Sequence, residues 1–299
     1  MPEPQFVQIK TADGLTLPGL IYRAGKTKSA AIYLHGNGSA SCFYSDDERG
    51  QLAQTLAQKG ISLLLFNNRG AHYVKKLVVE KQGRGRGKLY GMAFEKIKEC
   101  RFDIEGAVKF LSSLGYKTFY LIGESTGANK ICVYHYYHRR NLIAKYVLLG
   151  GGDDVGIYYH LLGQQKFWSL LEKSKLMIKV RHGQDYIPEL LNIGELFSYQ
   201  GFYDLANPDG DYNIFPFYEI LNKVTLSKKT LLRHFRSLTK PTLVVYGERD
   251  EYAWGKIPEI IELLKKANPR LDYSVIPGAD HACSQHQKEL GNIVTNWLA

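Results

Sequence analysis

The 299-residue chain carries a series of unbroken apolar runs of strand length: AAIYLHG from residue 30, ISLLLFNN from 61, TFYLIGE from 118, KYVLLGG from 145, TLVVYGE from 242 and YSVIPGA from 273. A run without in–out alternation needs cover on both faces, which is the situation of a strand inside a parallel sheet. Helical periodicity fills the intervals at about 47–59, 100–114, 126–139, 256–267 and 284–298. Two earlier candidates, FVQIKT and LTLPGLIY, flank the turn ADG and predict an N-terminal hairpin. Strand alternating with helix predicts an α/β, doubly wound, mostly parallel sheet of eight strands with right-handed crossovers. One interval breaks the rhythm: 84 residues from Asp153 to Arg236 hold helical patterns and no convincing strand. It is expected to be a mostly helical cap, residues 153–236, inserted into a core of 1–152 and 237–299.

The stretch GESTGANK, residues 123–130, lies between a strand run and a helical run. A phosphate-cradling loop needs four residues between its glycines and Lys-Ser/Thr directly after the second. Here three residues separate Gly123 from Gly127, and Ile131 follows Lys130. The spacing fits G-x-S-x-G instead, in which a serine sits in a strained strand-to-helix turn with its hydroxyl exposed. Two glycines around a serine also recur by chance, so the motif needs partners.

A serine nucleophile needs a base, and the base an orienting acid. YSVIPGADHACSQH puts His281 in a glycine-marked loop after a strand, and TLVVYGERDEY puts Asp250 just past another. Loops at the carboxyl ends of parallel strands converge on one edge of the sheet. Asp250 is favoured over Glu248, which stands in the exit turn, and over Asp153 or Asp154. YLHGNGS places His35, Gly36, Asn37 and Gly38 after a third strand, where glycines let the backbone approach a negative oxygen. One N–H of that loop, at Asn37, and the N–H of Thr126 are the oxyanion candidates; His35 is expected to support the loop.

LHGNGS, GESTG, YGERDEY and GADH together resemble the serine hydrolases of the α/β-hydrolase superfamily, over essentially the whole chain. The order Ser125, Asp250, His281 is that superfamily's order. The resemblance implies ester hydrolysis through an acyl-enzyme, with no metal and no organic cofactor. NNRGAHY and YGMAFEKIKECRFDI are similar to a branch that includes siderophore-ester hydrolases. Glu124 departs from the pattern, because histidine is common there, and Thr126 brings a β-branched side chain. Thioesterase, amidase or peptidase, and acyltransferase share the same triad.

Other features bound the reading. Cys42, Cys100, Cys132 and Cys283 lack metal or redox spacing and read as reduced thiols of a cytoplasmic protein. No apolar run approaches a membrane span, and MPEPQFVQIK does not read as a signal peptide. The net charge is +10, and residues 69–98, with nine cations against Glu80 and Glu95, hold +7 of it. KQGRGRGK within that segment reads as a flexible basic loop that could attract an anionic ester. RNA binding through residues 75–88 is the rival class, but a broad basic face and a recognisable nucleic-acid domain are missing, so no nucleic acid is expected. Phe202, Tyr203, Phe215 and Phe217 form either the core of the insertion or the lining of an acyl or aromatic pocket. His135 and His138 read as packing or surface residues, and His286 as surface.

Overall fold

The computed structural model describes residues 2–38, 40–44 and 47–299, apart from the side chains of Asp47, Glu48 and Lys81. Ser39, in the LHGNGS motif, therefore lies outside the described residues. An eight-stranded mixed sheet is built from β1 (Pro4–Lys10), β2 (Thr16–Tyr22), β3 (Ser29–Leu34), β4 (Ile61–Phe66), β7 (Thr118–Glu124), β8 (Ile143–Leu149), β9 (Thr242–Gly247) and β10 (Asp272–Ile276). Between β4 and β7 a separate pair, β5 (Lys75–Lys81) and β6 (Arg84–Tyr90), stands apart from it. The order across the large sheet is β1-β2-β4-β3-β7-β8-β9-β10. β1 and β2 pair antiparallel, β2 meets β4 antiparallel, and every later pairing is parallel.

The unbroken apolar runs have a plain cause. Alternate residues of each central strand enter two different cores, as the two-residue period of a strand requires. Ile32, Leu64, Leu121, Leu148 and Val244 face one core, and Tyr33, Leu65, Ile122, Val147 and Val245 face the other. The first core is closed by α2 (Cys100–Ser113), α3 (Thr126–Tyr137) and α10 (Ile257–Ala267); the second by α1 (Asp47–Gln58) and α11 (Gln287–Leu298). In α10 the buried positions Ile257, Ile260, Ile261 and Leu264 fall on one helical face, and Pro258 stands in the first turn, where its missing N–H costs no helical bond.

Six helices occupy the chain between β8 and β9: α4 (Asp154–Leu162), α5 (Gln164–Lys179), α6 (Pro188–Leu191), α7 (Tyr199–Ala206), α8 (Phe217–Leu221) and α9 (Arg233–Arg236). Their aromatic residues are continuous with the first core, through Phe167, Phe197, Phe202 and Phe217.

The expected flexible basic loop is instead a regular hairpin. β5 and β6 pair antiparallel from Lys75↔Tyr90 to Lys81↔Arg84. Gln82 and Gly83, the two loop residues, both have positive φ, which is what a type I′ turn needs and what suits the twist of the strands. The glycines have a packing use: a Cβ on Gly85 would meet Val78 Cγ1 at 2.9 Å, and one on Gly87 would meet Lys76 Cε at 2.5 Å. Leu77 and Val79 are half-buried against the first core. Near its turn the hairpin leans on the β1–β2 connection, where the Glu80 N–H donates to the Gly14 carbonyl at 2.8 Å.

Beneath the sheet edge lies a buried ionic floor. Arg69, 1% exposed, reaches Asp103, Asp13 and Glu99 at 2.7–3.0 Å. Lys130 of α3 is equally buried, pairs with Glu95 at 2.8 Å and donates to Asn68 Oδ1 at 3.2 Å. Tyr212 of the insertion donates to the same Glu95 at 3.0 Å. The floor thus ties α3 to the segment before α2 and to the insertion. Because a lone charge left in such a place is expensive, its members are interdependent.

Candidate active site

Ser125 stands between β7 and α3 with φ 53° and ψ −124°, a region that non-glycine residues enter at a cost of about 1–3 kcal/mol. The flanking glycines make the turn possible. A Cβ on Gly123 would lie 2.4 Å from the Gly127 carbonyl oxygen, and one on Gly127 would lie 2.0 Å from that of Leu34. The Ser125 N–H donates to the Leu149 carbonyl at 2.8 Å, so the turn is pinned to the end of β8. Its side chain faces a cavity of about 400 Å³ that is also lined by His281, Asn37, Gly38 and Thr126.

His281 follows β10, and Asp250 follows β9. Both Asp250 carboxylate oxygens lie 2.9 Å from His281 Nδ1. Asp250 is 2% exposed, and its Oδ1 also accepts from the Tyr252 N–H at 2.9 Å. Burial pushes the imidazole pKa down, but the hydrogen bond and charge of Asp250, then Glu124 and Glu251, outweigh it and hold the group above its ordinary value. Gly150, at φ 55°, lets the pair sit against β8; a Cβ there would meet His281 Cε1 at 3.0 Å.

The rival acids are engaged elsewhere. Glu248 accepts from the Gly278 N–H at 2.8 Å and braces the loop that precedes His281. Asp153 caps α4 by accepting from the Gly156 N–H at 2.8 Å, and also accepts from the Tyr218 N–H at 2.6 Å. Asp154 reaches the cavity wall and accepts from Asn129 Nδ2 at 2.9 Å.

Thr126 opens α3, where a backbone N–H has no partner inside the helix. Gly36 passes so close that a Cβ would lie 3.1 Å from Ser125 Cβ. His35 is 2% exposed, and burial together with the charge of Lys130 keeps its pKa well below the ordinary value. The neutral ring donates from Nδ1 to the Gly36 carbonyl at 2.8 Å, which stiffens the loop that carries Asn37.

The aromatic quartet does not line this cavity. Phe202, Phe215 and Phe217 are at most 1% exposed and belong to the first core, with Tyr203 packed against it. Phe215 and Phe217 stack 5.6 Å apart, and Gly151 is glycine because a Cβ would strike the Phe215 ring at 2.4 Å. Of the alternatives open in the sequence, the packing places these side chains in or against the core. The cavity wall is instead made of Arg49, Tyr73, Met92, Tyr158, Glu195 and Tyr252, with Glu124 and Asp154. Of these, Glu124 and Tyr252 stand inside the four motifs quoted for the superfamily, and the others carry no local signal of their role.

The basic hairpin meets the cavity only at its base, near Tyr73 and Met92. Six steps of about 3.4 Å separate Tyr90 from Arg84, so the turn stands about 20 Å away, beyond the screening length of about 8 Å at physiological salt. Lys88 is nearer, but its ammonium lies 5.0 Å from the centre of the Tyr90 ring. The expected field on the cavity mouth therefore has no source in Arg84 or Arg86.

Residues 90–299 match the family DUF1749, described as a protein of unknown function. The chain belongs to the DUF1749 family. Membership in DUF1749 brings no substrate with it, and no curated protein sequence matches the chain. Among solved structures it is similar to the α/β hydrolase GrgF from Penicillium sp. sh18, with TM-score 0.65 and 16% identity over 99% of this chain and 96% of that one. Est1E from Butyrivibrio proteoclasticus, solved with ferulic acid bound, gives TM-score 0.63 and 16% identity over 98% and 97%. The Pyrococcus furiosus esterase Pf2001 gives 0.57 and 20% over 99% and 92%. Likeness at this identity establishes the α/β-hydrolase fold for this DUF1749 chain and leaves its chemistry to be argued from its own residues. Among the described residues no helix is long and apolar enough to cross a membrane.

Proposed function

We propose that the chain is a serine hydrolase that cleaves carboxylic esters through an acyl-enzyme. The observation that carries this reading is Ser125 on a strained turn, facing the cavity that also receives His281, whose Nδ1 is held by Asp250. With Nδ1–H committed to Asp250, Nε2 is the free base. It takes the Ser125 proton as the hydroxyl oxygen attacks the acyl carbonyl, and returns it to the leaving alcohol. The N–H groups of Thr126 and Asn37 hold the oxyanion. Water then attacks the acyl carbon as His281 takes its proton, the bond to Ser125 Oγ breaks to release the acid, and His281 returns the proton to the serine oxygen. The raised pKa of His281 suits the positive charge it carries while each tetrahedral intermediate lasts.

Residues 153–236 act as a cap over the strand ends: Asp154, Tyr158 and Glu195 come from it to the cavity wall. The four cysteines are buried thiols outside any disulfide among the described residues, which suits a reducing compartment such as the cytoplasm. The likeness of NNRGAHY and CRFDI to siderophore-ester hydrolases falls on Arg69 and Asp103, which build the ionic floor. It therefore speaks for a shared scaffold and not for a substrate. The test is turnover of a panel of short- and medium-chain aryl and alkyl esters by the wild type and by Ser125→Ala. Hydrolysis that depends on Ser125 supports the reading; hydrolysis that persists in the variant defeats it.

A further inference from the structure

The cavity has two chemically different sides. On one, Glu124 is answered: Tyr33 donates to it, and Arg49 stands 3.7 Å away. On the other, the insertion presents Asp154 and Glu195. Asp154 Oδ2 accepts from Asn129, and among the described residues no hydrogen-bond donor meets its Oδ1. Glu195 accepts one hydrogen bond, from the Tyr158 hydroxyl at 2.8 Å, and among the described residues no cation pairs with it. The cationic side chains lining the cavity are Arg49 and, when protonated, His281. Lys130 lies behind Asp154, but its ammonium is spent on Glu95. Buried Asn129 commits its amide donors to Asp154 and to the Gly152 carbonyl, which fixes the Asp154 carboxylate as an acceptor on that side.

We propose that the Asp154–Glu195 wall selects esters whose acyl or alcohol part carries a cationic group, a quaternary or protonated amine. The inference rests on the proposed ester hydrolysis at Ser125 and names the substrate class for it. An ammonium at this wall completes two carboxylates that the protein leaves without a counter-ion, whereas a carboxylate ester would add a third negative charge in a space of poor solvation. The wall replaces the basic hairpin as the source of charge selectivity, with the opposite sign.

The wall also gives the selectivity a pH dependence. Burial, then the neighbouring Asp153, raise the Asp154 pKa to about 7; Asn129 and Lys130 oppose the rise and Glu95 adds to it. Tyr158 and Glu195 face the same carboxyl from the insertion, and Asp153 is itself held by the Gly156 and Tyr218 N–H groups. As pH climbs from 6 to 8 Asp154 loses its proton, so attraction for a permanent cation grows. Protonation of His281 slows both kinds of ester alike and cancels in the ratio.

The test compares butyrylcholine with its uncharged isostere 3,3-dimethylbutyl butyrate. The expected ratio of kcat/KM values favours the cation by about tenfold at pH 8, less at pH 6, and less in high salt. Asp154→Asn and Glu195→Gln should each shrink the ratio and together bring it to about one, while Asp154→Glu should keep most of it. A ratio near one in the wild type, or a preference that survives both neutral variants, overturns the inference. Should Asp154→Asn not fold, Glu195→Gln and the pH profile decide. Calorimetric binding of the same two esters to Ser125→Ala protein separates this from the chemistry. Tighter binding of the cationic ester that depends on Glu195 upholds the wall even if no ester is turned over and the hydrolase reading falls. Equal binding overturns the wall even if turnover is robust.

Discussion

The strand-end edge and the insertion meet at one cavity and treat their polar groups in opposite ways. At the edge, the capacity of Asp250 is used up: it holds His281 with both oxygens and also accepts from Tyr252. On the insertion side, Asp154 and Glu195 each accept a single hydrogen bond and open onto the cavity. A saturated group is held in one place, which suits a reaction that needs fixed geometry. A group with spare capacity waits for a ligand. On this account the edge carries the chemistry and the insertion carries the choice of substrate.

The largest effect should fall on the edge. Ser125→Ala removes the proposed attacking oxygen, and kcat for a good ester should drop by about 10³-fold or more with the melting temperature little changed, since alanine keeps the Cβ and with it the same strained turn. Asp250→Asn should cost about 10²–10⁴-fold, because an amide can present the wrong atom to Nδ1 and select the wrong tautomer. Glu248→Gln at the neighbouring strand exit should cost no more than about a fewfold, since the amide oxygen can still accept from Gly278. If Glu248→Gln proves the more damaging, the acid has been misassigned and the comparison fails.

The pH profile sharpens the same point. With neutral His281 as the proposed base, kcat/KM should rise with pH as the imidazole loses its proton, with a midpoint above the ordinary 6.5 because Asp250 favours the protonated form. Asp250→Asn withdraws that help, and the midpoint should move down. A midpoint unmoved by this change would mean that Asp250 does not act on the base.

Beneath both regions the floor should answer with stability. Lys130→Met leaves Glu95 buried without its ion, at an expected cost of about 3–5 kcal/mol in denaturant unfolding. The smallest effect belongs to the hairpin. Arg84→Ser with Arg86→Ser should change kcat/KM by less than about twofold on either ester of the cationic and neutral pair, given the distance and the screening. A large loss there would restore the hairpin to the site.

What was legible in the chain follows the same division. β3, β4, β7, β8 and β9 announce themselves because both faces are buried, so the sequence is apolar without interruption. Gly123 and Gly127 are legible because backbone stands where a Cβ would be. The hairpin looks like a loop in sequence because glycine, a usual loop marker, here makes room for Lys76 and Val78 across a strand pair. Phe202, Phe215 and Phe217 could not be told from a pocket lining, since an aromatic residue looks alike in sequence whether it faces a cavity or a core. Glu195 and Arg49 had no local signal at all: their place depends on how helices over 84 residues and the segment after β3 fold back on the sheet edge.

The central claim is that Ser125 is a nucleophile activated by His281, and one measurement addresses it most directly. The protein is treated with a fluorophosphonate, and the adduct is weighed on the intact chain and mapped to a peptide. The account predicts one adduct per chain, on Ser125, formed faster as pH rises and nearly abolished by His281→Ala. An adduct on another residue, or labelling of Ser125 at the same rate with and without His281, would contradict it.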